Sequence, residues 1–265
     1  MRSVGMTLEF ENPPINELVI GIFFNPMDAL RAEHVGAFWA TVREAFPNSS
    51  QNPALIRPGT APVAQFPLPK EVFPLPRFWF ISGDESNLIQ LQRDAFFFNW
   101  RRGAADYPRF KNVFAQFQKY FSLFADFAGE RLNVSTIVPI AFELTYINMI
   151  GSAESVFSPS DYSKVVPEVR LPAVTLTRRA ATDFNHFDLY QIAGNLQLNV
   201  AHRSVRRVPG GEFAVLMEIK VTGQSGENID EWFSRAHDIV LETFEFSTDP
   251  SIQNSIWRKK SSQKL

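Results

Sequence analysis

The chain has 265 residues, 45% of them hydrophobic and 20% charged, and carries a formal net charge of -2 at pH 7. That length fits one large domain or two small ones with an ample core, and the near-balanced charge gives no drive toward nucleic acid or an anionic membrane. Cysteine is absent, which excludes disulfides, thiolate nucleophiles and cysteine-based zinc sites.

Phenylalanine dominates the aromatic set, with 26 Phe against 5 Tyr and 5 Trp. Phe has no polar handle, so most of these rings belong in the interior. Residues 1–11 read as an arm or short edge strand and lack the apolar core of a signal peptide. No uninterrupted apolar run approaches the roughly 20 residues that span a bilayer, so a cytoplasmic protein without membrane contact is expected. Asn12-Pro13-Pro14 is a stiff extended lead into a buried strand over Leu18 to Phe24, ended by Asn25-Pro26. Leu30 to Phe46 follows as a helix, because Val35, Phe38, Trp39, Val42 and Phe46 recur at three- and four-residue steps; Pro47 stops it. Residues 47–76 hold eight prolines and little periodicity. They read as an irregular segment wrapping the surface.

Arg77 to Arg102 reads as three short antiparallel strands. Gly83-Asp84-Glu85-Ser86 separates the first two, and Arg93-Asp94-Ala95 separates the second pair. Alternation puts Phe96, Phe98 and Trp100 on one face, opposite Phe97, Asn99 and Arg101. The expected sheet has one apolar face and one face carrying Gln90, Gln92, Asn99 and Arg101. Next, Asp106 is placed to cap a helix with Pro108 in its first turn. The stripe from Phe110 through Val113, Phe117, Tyr120 and Phe124 to Phe127 runs to Gly129, a stop signal.

A strand is expected over Ile137 to Ile150, then a long connection over 151–181 with three prolines. Three more strands follow, near Phe187 to Ile192, Asn195 to Arg203 and Phe213 to Val221, with Pro209-Gly210-Gly211 turning between the last two. Asn228 caps a helix striped by Trp232, Phe233, Ala236, Ile239, Val240 and Phe244. Thr248-Asp249-Pro250 opens a short final helix, and the basic tail from Arg258 is expected to fray.

The element order occurs twice: strand, long connection, three-strand meander, helix. A faint echo accompanies it, Pro14-Ile15 with Glu17-Leu18 against Pro139-Ile140 with Glu143-Leu144. The expected fold class is α+β: a pseudo-duplicated antiparallel sheet with long helices on one face. It forms a single compact domain over 1–265 made of two similar halves, about 12–130 and 137–257.

No Gly-rich phosphate loop, GxSxG, HExxH or EF-hand pattern is present. No catalytic set, metal site or cofactor is therefore expected. His186 with Asp183 and Asp188 forms either an acid–base or metal cluster or a polar turn entering a strand. His237 reads as a half-buried structural histidine in its helix. Arginines cluster at Arg101-Arg102, Arg178-Arg179, Arg203 and Arg206-Arg207, as solvated strand ends or as an anion-holding patch.

Several stretches carry a resemblance to a known family: Asn12-Pro13-Pro14-Ile15 with Glu17, His34 to Trp39, Leu88 to Arg93 (LIQLQR), Phe98-Asn99-Trp100-Arg101, Tyr107-Pro108-Arg109-Phe110, Tyr146-Ile147-Asn148, and His237-Asp238 with Trp257. The pattern resembles a sporadically distributed bacterial family of uncharacterised proteins. The resemblance implies an accessory setting, such as phage defence or a toxin–antitoxin pair, and no particular chemistry. The order of elements is also similar to the SecB-like chaperone fold, a likeness of topology alone.

The first reading is a non-enzymatic binding or interaction protein with a protein partner or a second copy of itself. Its recognition surface would be Gln90, Gln92, Asn99 and Arg101, joined by Tyr146 and Asn148. The alternative is an enzyme or sensor holding a phosphorylated or nucleotide-like ligand through Arg178 and Arg203 with His186 or His237. A further alternative is SecB-like binding of unfolded chains in an apolar groove.

Overall fold

The computed structural model describes residues 9–55, 75–103, 106–169, 182–192, 195–226 and 228–260, and these form an α+β fold of antiparallel strands and helices. The chain divides into two compact units. One comprises Glu17–Leu144 with Thr222–Gly226; the other comprises Met1–Asn16, Thr145–Val221 and Glu227–Leu265.

In the first unit, β2 (Ile15–Phe24), β3 (Asn48–Asn52), β4 (Arg77–Ile81), β5 (Asn87–Gln92) and β6 (Ala95–Arg101) lie side by side in the order β3-β4-β5-β6-β2. In the meander Ile89 lies opposite Phe98 and Leu91 opposite Phe96. Its apolar face is covered by α1 (Ala32–Val42) and α2 (Phe110–Leu132). Phe96 meets Phe117, Phe121 and Phe124 of α2 at ring separations of 6.3, 5.6 and 5.6 Å, and Phe98 stacks on Tyr120 at 5.7 Å. Phe38 of α1 sits between Phe80 of β4 and Phe124 of α2. Each such buried ring contributes about 1.5–3 kcal/mol through the water it sheds.

The opposite face is not the wet surface expected from its polar residues. Phe23, Ala95, Phe97 and Ala141 form a buried cluster there, against which Val19, Leu55 and Ile140 pack. Gly21 lies opposite Phe97 on the neighbouring strand, and a Cβ at Gly21 would stand 2.0 Å from that ring. Only a residue without a side chain lets the Phe97 ring lie across the strand.

Three expectations for this unit need correction. The span 47–76 is not irregular throughout, since β3 pairs with β4 over Asn48–Asn52; residues 56–74 lie outside the described residues. Asp106 does not cap α2: the flanking residue is Arg109, at φ 75°, with no side-chain cap. Nor does Gly129 end α2. The helix runs on to Leu132, and Asn133 closes it at φ 56° by donating its amide to the Ala128 carbonyl. Asn tolerates the left-handed region because its short polar side chain bonds locally.

The second unit holds β8 (Asn185–Ile192), β9 (Leu196–Arg206), most of β10 (Phe213–Gln224) and the C-terminal half of β7 (Pro139–Ile150), ordered β7-β10-β9-β8. β2 thus neighbours β6, and β7 neighbours β10. The 151–181 connection contains a 3-10 turn, Ser152–Glu154, and α3 (Pro159–Tyr162). Residues 170–181 are outside the described residues. Helix α4 (Ile229–Ser247) starts as expected, with the Asn228 side chain accepting from the Asp230 amide at 2.8 Å. Its stripe of Trp232, Phe233, Ala236, Val240 and Phe244 is buried. Asp249 caps α5 (Pro250–Ser255) by accepting from Ser251 and Ile252.

The tail does not fray at once. Lys259–Lys260 (β11) pairs with Glu9–Phe10 (β1). Arg258 meets Glu11 at 3.2 Å, Lys260 meets Glu9 at 3.6 Å, and Lys259 pairs with Glu245. Exposed ion pairs contribute little. The stronger anchor is Phe10, packed edge-on against Phe244 at 5.6 Å and Trp257 at 6.1 Å. No described helix is long and apolar enough to cross a membrane.

Candidate functional site

The row Gln90, Gln92, Asn99 and Arg101 is assembled, but inward. Gln90, Gln92 and Asn99 are 5%, 3% and 3% exposed. Arg77 Nη1 donates to Gln90 Oε1 at 2.9 Å, Gln90 Nε2 to Asn99 Oδ1 at 2.7 Å, and Asn99 Nδ2 to Glu17 Oε1 at 2.6 Å. Arg101 Nε reaches the same carboxylate at 3.3 Å. Arg77 and Arg101 both lie over the Trp79 ring, at 5.4 and 5.0 Å. Gln92 closes on the Leu55 backbone, accepting from its amide at 2.8 Å and donating to its carbonyl at 3.1 Å. Buried amides need partners, and here they are each other's. The row is thereby occupied in holding the sheet together.

Tyr146 and Asn148 belong to the second unit and are also buried. Tyr146 hydrogen-bonds His237 Nδ1 at 3.0 Å and stacks on its ring, while Asn148 Nδ2 donates to the Met217 carbonyl at 3.3 Å. Burial holds His237 down at a pKa of about 4, so it is neutral at pH 7. Of the arginines, Arg178 lies outside the described residues. Arg203 is exposed on β9, opposite Asn185.

His186 is where the structure gathers chemistry. Strands β8 and β9 pair antiparallel with His186 opposite His202, Asp188 opposite Val200 and Tyr190 opposite Leu198. Two-residue periodicity then puts all six on one face. That face forms one wall of a pocket of about 590 Å3. Val166, Glu168 and Val169, in the segment after α3, form a second wall, and Glu242, Thr243, Phe246 and Ser247 of α4 a third. The walls are fixed to each other. Val165 and Val166 donate to the Tyr162 carbonyl, and the Asp249 amide, just past α4, donates to the Val165 carbonyl at 2.8 Å. Trp257 Nε1 and the Gly151 amide each donate to the buried Glu154 carboxylate at 2.9 Å, which ties down the start of the same connection.

The pocket is graded from floor to rim. Val166, Val169, Leu198, Val200 and His202 are buried; Glu168, His186, Tyr190, Glu242 and Phe246 are exposed. His186 Nε2 donates to Asp188 Oδ2 at 2.7 Å. Behind it, the His202 ring stands 5.9 Å from the His186 ring, and His202 Nδ1 lies 2.8 Å from the Tyr162 hydroxyl. Burial, helped by the nearby His186, holds His202 at a pKa of about 4 against the weaker pull of Asp188. Burial likewise keeps Tyr162 protonated, well above its ordinary value. A buried hydroxyl needs an acceptor, so Tyr162 donates to Nδ1 and the neutral ring carries its proton on Nε2. That Nε2 has no hydrogen-bond partner among the described residues.

The described residues lining the pocket include no Arg or Lys. Asp183 is not part of it; its carboxylate approaches Ser204 Oγ at 3.4 Å. Among the described residues no group of three or more His, Asp or Glu could hold a metal ion. Sequence reasoning found His186 and Asp188 but not Glu168, Tyr190, Glu242 or Phe246. The available signal was the alternation His186-Asp188-Tyr190 and Leu198-Val200-His202. The chain matches no family model, and no curated protein matches it.

Proposed function

We propose that the protein is a small-ligand binding protein whose site is the pocket between β8, β9, the 166–169 segment and the C-terminal half of α4. The observation that carries this reading is the cavity of about 590 Å3 with a buried apolar floor and a polar, aromatic rim. That size and lining are those of sites for ligands of drug-like dimensions. The polar sheet face is a weaker candidate, since Gln90, Gln92 and Asn99 already satisfy each other and their neighbours. A phosphorylated ligand held by arginines draws no support from the described lining of this pocket, which contains none.

The test is a fragment screen by ligand-observed NMR on wild type and on Leu198→Trp, which puts an indole into the floor. Fragments that bind wild type are expected to lose binding in the variant, with circular dichroism confirming that it folds. Should Leu198→Trp misfold, Thr243→Trp fills the same space from the α4 wall. Equal binding to wild type and a folded filled variant, or a screen without hits, overturns the proposal.

A further inference from the structure

We infer that the ligand is an organic cation, an amine on an apolar body, with the body against Leu198 and Val200 and the ammonium at the rim among Glu168, Asp188 and Glu242. This rests on the pocket being a ligand site, and adds the chemical class that the site selects.

Three observations converge. First, the rim carries three carboxylates, and the described residues of the lining include no Arg or Lys to neutralise them. An anion entering there would meet a carboxylate on each of the three described walls, whereas a cation is attracted. His186 partly offsets Asp188 through its 2.7 Å hydrogen bond, leaving Glu168 and Glu242 without a basic partner among the described residues of the lining. Second, aromatic rings stand at the mouth: Tyr190 is 49% exposed and Phe246 is 79% exposed. Large apolar rings are costly in water, and their faces attract ammonium groups. The carboxylate field does converge on this spot. After burial, it is Asp188 and Glu168 that hold the Tyr190 hydroxyl above its ordinary pKa. Third, the floor is apolar except for His202, a buried side chain whose Nε2–H is unpartnered among the described residues. It provides one donor for an acceptor atom on the ligand body, as pockets with few placed polar groups do.

The charge and the apolar body are separable, so a matched series tests them. The full-length protein is titrated with tryptamine, with tryptophol as its neutral counterpart, and with indole-3-propionate as its anionic one, by calorimetry or ligand-observed NMR. Tryptamine is expected to bind at least about tenfold tighter than tryptophol, because a hydrogen bond to a charged group outweighs a neutral one by about that factor. Indole-3-propionate is expected to bind weakest. In the double variant Glu168→Gln, Asp188→Asn the tryptamine advantage should fall to near parity while tryptophol binding holds. Glu242→Gln, an exposed change on α4, should reduce the same advantage and serves if the double variant folds poorly.

Equal affinity for tryptamine and tryptophol in wild type would overturn the cation class while leaving the pocket standing as a site. Tightest binding of indole-3-propionate would reverse the class. No binding by any of the three, or tryptophol binding that survives Leu198→Trp, would remove the site and the class together.

Discussion

Two histidine–tyrosine pairs, Tyr162 with His202 and Tyr146 with His237, make the second unit sensitive to acid. Both imidazoles have a pKa near 4 in the folded protein, against an ordinary 6.5. The sign follows from which state takes protons first. Below pH 6.5 the unfolded chain protonates these histidines while the folded protein does not, so unfolding gains protons and stability falls. The stabilisation is complete above about pH 6.5, is lost progressively as pH drops toward 4, and is constant below that. Over the window each histidine contributes a slope of up to about 1.4 kcal/mol per pH unit. At pH 5 that is a loss of about 2 kcal/mol for each histidine. His202 faces Tyr162 from α3 and His186 and Asp188 from β8; His237 faces Tyr146 from β7. Asp238 acts in the opposite sense, since burial raises its carboxyl above 3.8. Asp84 and Asp161, held near 2 by hydrogen bonds, lose their contribution below the histidine window. The assay is urea denaturation at steps from pH 7.5 to 4.5, comparing wild type with His202→Gln, which keeps an acceptor for the Tyr162 hydroxyl but cannot titrate. The variant should lose close to one proton's worth of slope. A wild-type stability that stays flat over this range, or a slope unchanged by His202→Gln, would refute the reasoning.

Two further outcomes follow from the first unit. Gly21→Ala places a methyl 2.0 Å from the Phe97 ring, which is 1% exposed and has little room to move; a stability loss of about 1–3 kcal/mol by chemical denaturation is expected, and a change within error would show that the ring relaxes freely. Asn99→Ala strips Gln90 Nε2 of its acceptor and the Glu17 carboxylate of its 2.6 Å donor; a loss of about 2–4 kcal/mol is expected, and near-neutral behaviour would mean that water replaces the missing amide.

Local periodicity carried much of the fold. The steps from Phe110 to Phe127 and the alternation Phe96-Phe98-Trp100 reflect burial within a single element, and burial leaves a pattern in that element's own residues. Where burial comes from elsewhere in the chain, no such pattern exists. Strand β3 is Asn-Ser-Ser-Gln-Asn, exposed along nearly its whole length, and only its partner β4 makes it a strand. Gln90, Gln92 and Asn99 look like a wet face because they are polar; Leu55 and Ile140, which pack on the cluster sharing that face, are distant in sequence. The basic tail looks frayed because its acidic partners Glu9 and Glu11 lie at the other end of the chain.

The pocket lies at the limit of what such reading can reach. His186, Asp188 and Tyr190 alternate visibly, as do Leu198, Val200 and His202, so each strand's two faces can be sorted from sequence. What joins them is the register that sets His186 opposite His202. A slip of one residue would send every β9 side chain to the other face, turning His202 away from His186 and Tyr162. The sequence between Ile192 and Leu196 does not declare that register, because a connection one residue longer or shorter would shift it without altering either pattern. Glu168 and the residues of α4 are a step further removed, since they approach this face through tertiary packing alone. The chemistry of the site therefore depends on one strand register and one helix placement. A disturbance of either would disperse the carboxylates, the aromatic rim and the His202 donor together.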